Sequence, residues 1–276
     1  MRLGGPVFVE KDPELWGRAV QQAGYRATGC PVASSDAPTL KQAFRQVAAE
    51  KDILIAEVGA WSNPISPVQE IREKAVAYCK EQLNLAEEMG ARCCVNIAGS
   101  RGEQWDGPHP DNLSDETFDL TVDTVREIID AVQPRNAFFA LESMPWVWPD
   151  SPDAYLKLIQ AIDRKQFAVH LDPVNMINSP RTYYENAAFI RECFAKLGPY
   201  LKSCHAKDIL LSGKLTVHLA ETRPGTGALD YRTFLRELNK MPADTPVLLE
   251  HLDTEQAYQQ AAQFVRETAG ELGISL

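Results

Sequence analysis

The 276-residue sequence has no C-x-x-C pair, no run of about 18 apolar residues and no excess of basic residues. Its six cysteines (Cys30, Cys79, Cys93, Cys94, Cys193 and Cys204) follow no regular spacing, and most lie in apolar stretches. A free thiol in such a setting behaves as a small buried hydrophobe. Adjacent Cys93 and Cys94 would point to opposite faces of a strand. A reducing, cytoplasmic setting is expected. The opening MRLGGPVFVEKDPE has no continuous apolar segment of signal-peptide length, and no membrane span is expected either. A formal net charge of −10 argues against a nucleic-acid partner, because phosphate binding needs a basic surface. It leaves small substrates open, since a local site can differ in sign from the whole surface. No G-x-G-x-x-G follows the first strand-like segment, which weighs against a dinucleotide-binding open sheet.

What is present is an ordinary globular composition, 45% hydrophobic and 24% charged, with a regular rhythm. A chain of this size buries roughly 75% of its unfolded surface and needs no staple. Strand-like segments recur at Leu3–Val9, Tyr25–Pro31, Ile53–Val58, Cys93–Ala98, Ala137–Glu142, Phe167–Asp172, Tyr200–His205 and Val247–Glu250. Helical patterns fall between them: Pro13 to Ala23, Asp36 to Ala49, Pro67 to Met89, Ser114 to Val132, a segment ending at Ile162, Tyr183 to Leu197, Tyr231 to Asn239, and Thr254 to Ala269. Gly90 stands where a C-cap belongs, and Ser114 where a plain N-cap does. The stretch LLSGKLTVHLAETRPGTG, after the seventh strand, reads as a hairpin excursion. Nothing resembles a linker. The expected fold class is α/β, a single (β/α)8 TIM barrel spanning residues 1–276 as one domain. A doubly wound open sheet is the alternative, and the count of eight favours closure.

Four of these segments end on a residue that can bind a metal: FFALE at Glu142, FAVHLD at Asp172, LKSCH at His205 and VLLE at Glu250. They stand roughly 30 to 45 residues apart, about one strand-plus-helix unit. In a parallel barrel consecutive strands end at one rim, so the four side chains would converge there. Alternation then places Ala140, His170, Ser203 and Leu248 one layer deeper, and turns Leu141, Leu171, Cys204 and Leu249 outward to the helices. A lone rim carboxylate is as easily a structural ion pair as a ligand. Three clustered carboxylates repel one another unless a cation neutralises them. Three oxygens and one nitrogen suit one divalent ion, Mn²⁺ first, then Mg²⁺ or Co²⁺, with Zn²⁺ also possible.

The segments ALESMPW, VHLDPVN, SCHAKD, RPGTGALDY and VLLEH resemble the xylose isomerase-like TIM-barrel superfamily, within it the sugar phosphate isomerase/epimerase group with its ketose 3-epimerases and inosose dehydratases. The likeness is carried by strands five to eight, and by rhythm alone before them. It implies that Glu142, Asp172, His205 and Glu250 are the metal ligands. It also implies that Glu142 and Glu250 are a catalytic acid/base pair: one removes a proton beside a metal-polarised carbonyl to give an enediolate, and the other returns one. The implied partner is a sugar or sugar derivative, and the implied assembly a homodimer or homotetramer. One departure is Asn175, in Asp172-Pro-Val-Asn175, where many epimerases carry a histidine. Asn175 can bond a substrate hydroxyl but cannot shuttle a proton, and His170 is the candidate to replace that function.

Further substrate-contact candidates are Trp61 and Trp146 on rim loops, Asn96 on the fourth strand, Lys207 and Asp208 just past His205, and Arg223 before the P-G-T-G turn. The tryptophans serve equally well as loop or interface packing, Asn96 as a backbone partner and Arg223 as a surface ion pair. His218 and His251 read as structural, with His251 facing outward. The leading expectation is a metal-dependent isomerase or epimerase. The alternative is a dehydratase or β-eliminating lyase acting on a keto-sugar or inosose. An endonuclease IV-like hydrolase would need a histidine-rich zinc cluster and a basic surface, and a non-catalytic sugar-binding barrel would not need both glutamates.

Overall fold

The computed structural model describes residues 1–276. Eight short parallel strands form its centre: β1 (Arg2–Gly4), β2 (Ala27–Gly29), β3 (Leu54–Gly59), β4 (Cys93–Asn96), β5 (Phe138–Glu142), β6 (Phe167–Leu171), β7 (Leu201–Ala206) and β10 (Pro246–Leu249). They close in the order β1-β10-β7-β6-β5-β4-β3-β2, a single (β/α)8 TIM barrel. Between β7 and β10 the chain leaves the barrel as an antiparallel hairpin, β8 (Asp208–Ser212) with β9 (His218–Thr222). The expected excursion is therefore a two-stranded sheet of its own.

The helices outside the barrel are α1 (Pro13–Gln22), α2 (Pro38–Glu50), α3 (Gln69–Met89), α4 (Asp115–Val132), α5 (Pro152–Ile162), α6 (Pro180–Tyr184), α7 (Asn186–Leu197), α8 (Tyr231–Leu238) and α9 (Glu255–Glu271). Their starts follow local chemistry. Asp12, Ser114, Ser151 and Thr254 each accept a backbone N–H of the first turn, and Pro13 and Pro152 sit where a missing N–H costs nothing. Gly90 ends α3 at φ 69°, the left-handed cap a residue with a Cβ resists. The helix expected over Tyr183–Leu197 is two helices, broken at Glu185. No helix is long and apolar enough to cross a membrane.

The first two strands are shorter than the apolar runs suggest. Pro6 and Pro31 follow them closely, and proline has no N–H to extend a ladder. At Gly4 the backbones nearly touch, since a Cβ there would stand 2.2 Å from the Ala27 carbonyl oxygen.

Alternation divides the apolar side chains into two layers. A 62-residue cluster lies between strands and helices and includes Leu141, Leu171, Cys204 and Leu249. Inside the barrel there are only two small groups, Ala27 with Ala56 and Leu248, and Cys93 with Val95 and Ala140. Cys93 thus faces inward and Cys94 outward, and all six cysteines are free thiols. Each fully buried leucine or isoleucine of the outer layer, such as Leu158 or Ile162, contributes about 1.5–3 kcal/mol by leaving water. The small interior leaves room near the rim for polar side chains.

Candidate metal centre and active site

At the C-terminal rim Glu142 ends β5, Asp172 follows β6, His205 lies in β7 and Glu250 follows β10. Their ligating atoms all lie within 4.8 Å of one another. The first three are almost fully buried, and Glu250 is 17% exposed at its side chain. His205 Nδ1 stands 3.2 Å from Glu142 Oε1 and 2.8 Å from Glu250 Oε1. Asp172 Oδ1 accepts the amides of Val174 and Asn175, whereas its Oδ2 and Glu250 Oε1 are buried and meet only the charged neighbours Lys207 and, for Glu250, His205. Lys207 supplies the nearest positive charge. Its Nζ reaches Asp172 Oδ2 at 3.0 Å, touches Glu250 Oε1, and stands 3.6 Å from both Glu142 and Glu221. Three carboxylates and an imidazole around one point, with a single lysine against three acids, fit a hard divalent cation.

A carboxylate that the strand pattern concealed lies beneath this set. Glu57 accepts from His205 Nε2 at 3.1 Å and from Ser203 Oγ at 2.9 Å. Strict alternation along Leu-Ile-Ala-Glu-Val would group Glu57 with outward-facing Ile55. The register between β2 and β3 instead pairs Thr28 with Ile55 and Gly29 with Glu57, leaving Ala56 as an extra residue. That bulge turns Glu57 into the barrel, in register with inward-facing Cys93. A lone acid in an otherwise apolar strand was the available signal. With Nε2 committed to Glu57, the nitrogen of His205 that faces the carboxylate cluster is Nδ1.

The charges separate the two glutamates. Burial raises the Glu142 carboxyl above its ordinary value, only partly offset by His205, and the charge of Glu250 adds to the rise. Burial would raise Glu250 as well, but His205, Lys207 and His251 outweigh it and hold it well below the carboxylate range. His170 lies deeper, fully buried, its ring edge-on to His205 with centroids 4.0 Å apart. Burial, then the charge of His205, pushes it down to about 3, so it stays neutral.

A cavity of about 700 Å³ opens from this rim toward β1 and β2. Glu57, Glu142, His205 and Glu250 line it, and so does Trp61. Other expected contacts lie elsewhere. His170 sits below the floor and cannot replace a histidine at Asn175. Asn175 instead donates to Glu142 Oε1 at 3.1 Å. Asn96 is fully buried and turned to Ser62 and Cys79. Asp208 accepts the amides of Ile209, Gly225, Gly227 and Leu229, so it holds the P-G-T-G turn against the hairpin. Arg223 donates to the neighbouring Pro224 carbonyl, and Trp146 donates to the Asp106 carbonyl. His251 does not face away from the site. It lies at the cavity mouth at φ 54°, 3.2 Å from Glu221 and 3.6 Å from Glu250. Trp105 and Lys11 line the cavity too and had no distinguishing sequence pattern.

A family model described as "Xylose isomerase-like TIM barrel" matches residues 18–268. No curated protein matches the chain. Among solved structures the chain is similar to D-psicose 3-epimerase from Clostridium cellulolyticum H10, with TM-score 0.72 and 16% identity over 100% of both chains. The probable 3-DHS dehydratase of Bacillus anthracis gives 0.72 and 15%, over 96% of this chain and 98% of that one. The 3-keto-D-glucoside 4-epimerase of E. coli gives 0.70 and 15%, over 97% and 99%. At these identities the likeness concerns the fold.

Proposed function

Because the chain belongs to the xylose isomerase-like TIM-barrel family, we propose that it is a divalent-metal-dependent enzyme that moves a proton on the carbon beside a carbonyl of a sugar or sugar derivative, an isomerase or epimerase. The observation that carries this reading is the meeting of Glu142, Asp172, His205 and Glu250 around one point at the edge of a large cavity that Glu142, His205 and Glu250 line, three carboxylates with Lys207 as their one lysine. Those four residues would hold the ion, Mn²⁺ in the first instance. When bound, the ion supplies Lewis-acid polarisation of the carbonyl.

The side chains divide the remaining work. Of the two glutamates, one would remove the proton from carbon and the other would return it. Asn175 fixes one Glu142 oxygen. Glu57 and Ser203 hold the His205 ring in place. Loss of a leaving group from the same carbon acid is the second reading. It is favoured by His251, half-exposed at the mouth and raised above its ordinary value by Glu221, where it can hand a proton to a departing oxygen.

The test is turnover in D₂O with Mn²⁺ over a panel of ketoses, keto-sugars and inososes, followed by proton NMR. Deuterium should enter a carbon-bound position of substrate or product. Turnover with no exchange would point to hydride transfer or hydrolysis and remove the proposal.

A further inference from the structure

The cavity is much larger than one sugar ring and is divided by polarity. Its volume of about 700 Å³ falls within the range that encloses ligands of drug size, several times the bulk of a hexose. The polar groups gather at one end, where Glu57, Glu142, His205, Glu250 and His251 meet. Toward β1 and β2 the lining is mainly apolar, with Val7, Val9, Trp16 and Phe44 interrupted by Glu10 and Lys11, and Trp61 and Trp105 stand on the neighbouring loops after β3 and β4. Trp61, Trp105 and Val9 remain 42%, 40% and 44% exposed, and apolar side chains gathered at a cleft mark ligand surface. A sugar face stacked on one indole would leave the second indole and the aliphatic wall unused.

Gly29 adds an independent observation. It pairs with Glu57, so a side chain there would point inward with the Glu57 carboxylate. It lines the cavity, and a Cβ would meet no atom within 4 Å. Unlike Gly4, where a Cβ would collide with the Ala27 backbone, Gly29 is not required by close packing. Its effect is to keep the cavity open between the Glu57 carboxylate and the β1–β2 side.

We propose that the substrate of this site is a sugar derivative carrying a ring-sized apolar or aromatic substituent, such as a glycoside with an aryl aglycone. The polar end takes the carbohydrate and the β1–β2 end takes the substituent. The proposal rests on the carbohydrate reading above and specifies its substrate class.

Isothermal titration of the Mn²⁺-loaded protein with phenyl β-D-glucopyranoside and methyl β-D-glucopyranoside tests it. The phenyl glycoside should bind about tenfold or more tightly than the methyl one, the expected gain from burying an aromatic ring. Trp61→Ala and Trp105→Ala, each of which removes part of the apolar wall, should each reduce that advantage to about threefold or less. Mn²⁺ affinity and far-UV circular dichroism should stay as in the wild type, which separates loss of the subsite from loss of the fold. Equal affinity for the two glycosides, no detectable phenyl glycoside binding, or an advantage that survives both variants would overturn the proposal. So would a dimer in light scattering whose partner shields both indoles from a quencher. Aryl preference without deuterium exchange on any substrate would remove the proton-transfer reading and keep the subsite. Exchange on a free ketose with no aryl preference would do the reverse.

Discussion

Glu57 shows most clearly what a single residue contributes here. Its carboxylate ties His205 Nε2 and Ser203 Oγ, and the ring has Nδ1 left for the acidic cluster. Losing the outer hydrogen-bond partner of a histidine ligand costs about 10–100-fold in metal affinity. Glu57→Ala should therefore weaken Mn²⁺ binding by about that factor in calorimetric titration, and Glu57→Gln, which keeps an accepting oxygen, should recover part of it. Unchanged affinity in both variants would make Glu57 a packing residue only. The rim ligand set was legible in the sequence because Glu142, Asp172, His205 and Glu250 each close an apolar run. Glu57 was not, because reading it depends on one unpaired residue, Ala56, that no periodicity announces. Asn96, Arg223 and Asp208 carry suitable donor and acceptor atoms at plausible places. Which partner each finds is decided by tertiary contacts: Ser62 and Cys79, the Pro224 carbonyl, and four loop amides.

Among the elements, the most legible were those with chemical punctuation. α3 ends at Gly90 and α4 begins at Ser114 because a left-handed cap and a side-chain acceptor are local properties. β1 and β2 were overestimated because Val7, Val9 and Cys30 are apolar for another reason: they line or border the cavity rather than the ladder. The hairpin of β8 and β9 was expected as an excursion, but its consequence was not. It brings Glu221 to 3.6 Å from Lys207 and 3.2 Å from His251, adding a fifth carboxylate to the neighbourhood of the site.

A second link between elements is Glu87, near the end of α3. It accepts the backbone amides of Arg135, Asn136 and Ala137 and the Asn136 side chain, tying the helix to the loop that enters β5. Burial works against its charge, but those hydrogen bonds outweigh burial and hold its carboxyl below the ordinary value. A carboxyl that is more acidic in the folded state stabilises the fold above its unfolded pKa, and that stabilisation is lost as pH falls through the folded one. Glu87→Ala should cost about 1–2 kcal/mol at pH 7 by denaturant unfolding, and the cost should shrink below about pH 4. A cost independent of pH would show that the helix-to-loop tie does not depend on the charge.

At the scale of the whole molecule, eight strands of three to six residues enclose an interior filled by alanine, cysteine, valine and one leucine, while the larger hydrophobes pack outside against the helices. The barrel was legible because strand-plus-helix units repeat and no binding fingerprint of an open sheet interrupts them. The cavity was not, since its volume depends on how far apart the β1–β2 loops and the rim tryptophans stand. The polar interior of the rim follows from the same economy: with small residues below, the acidic cluster, His205 and Lys207 are buried together. The proposed chemistry requires these groups to be a cation site. The direct measurement is Mn²⁺ binding to the wild type and to a Glu142→Gln, Glu250→Gln double variant by isothermal titration with metal analysis. One ion per chain is expected in the wild type, with affinity reduced about 100-fold or more in the variant. A double variant that keeps one ion per chain at wild-type affinity would contradict the ligand assignment and the chemistry built on it.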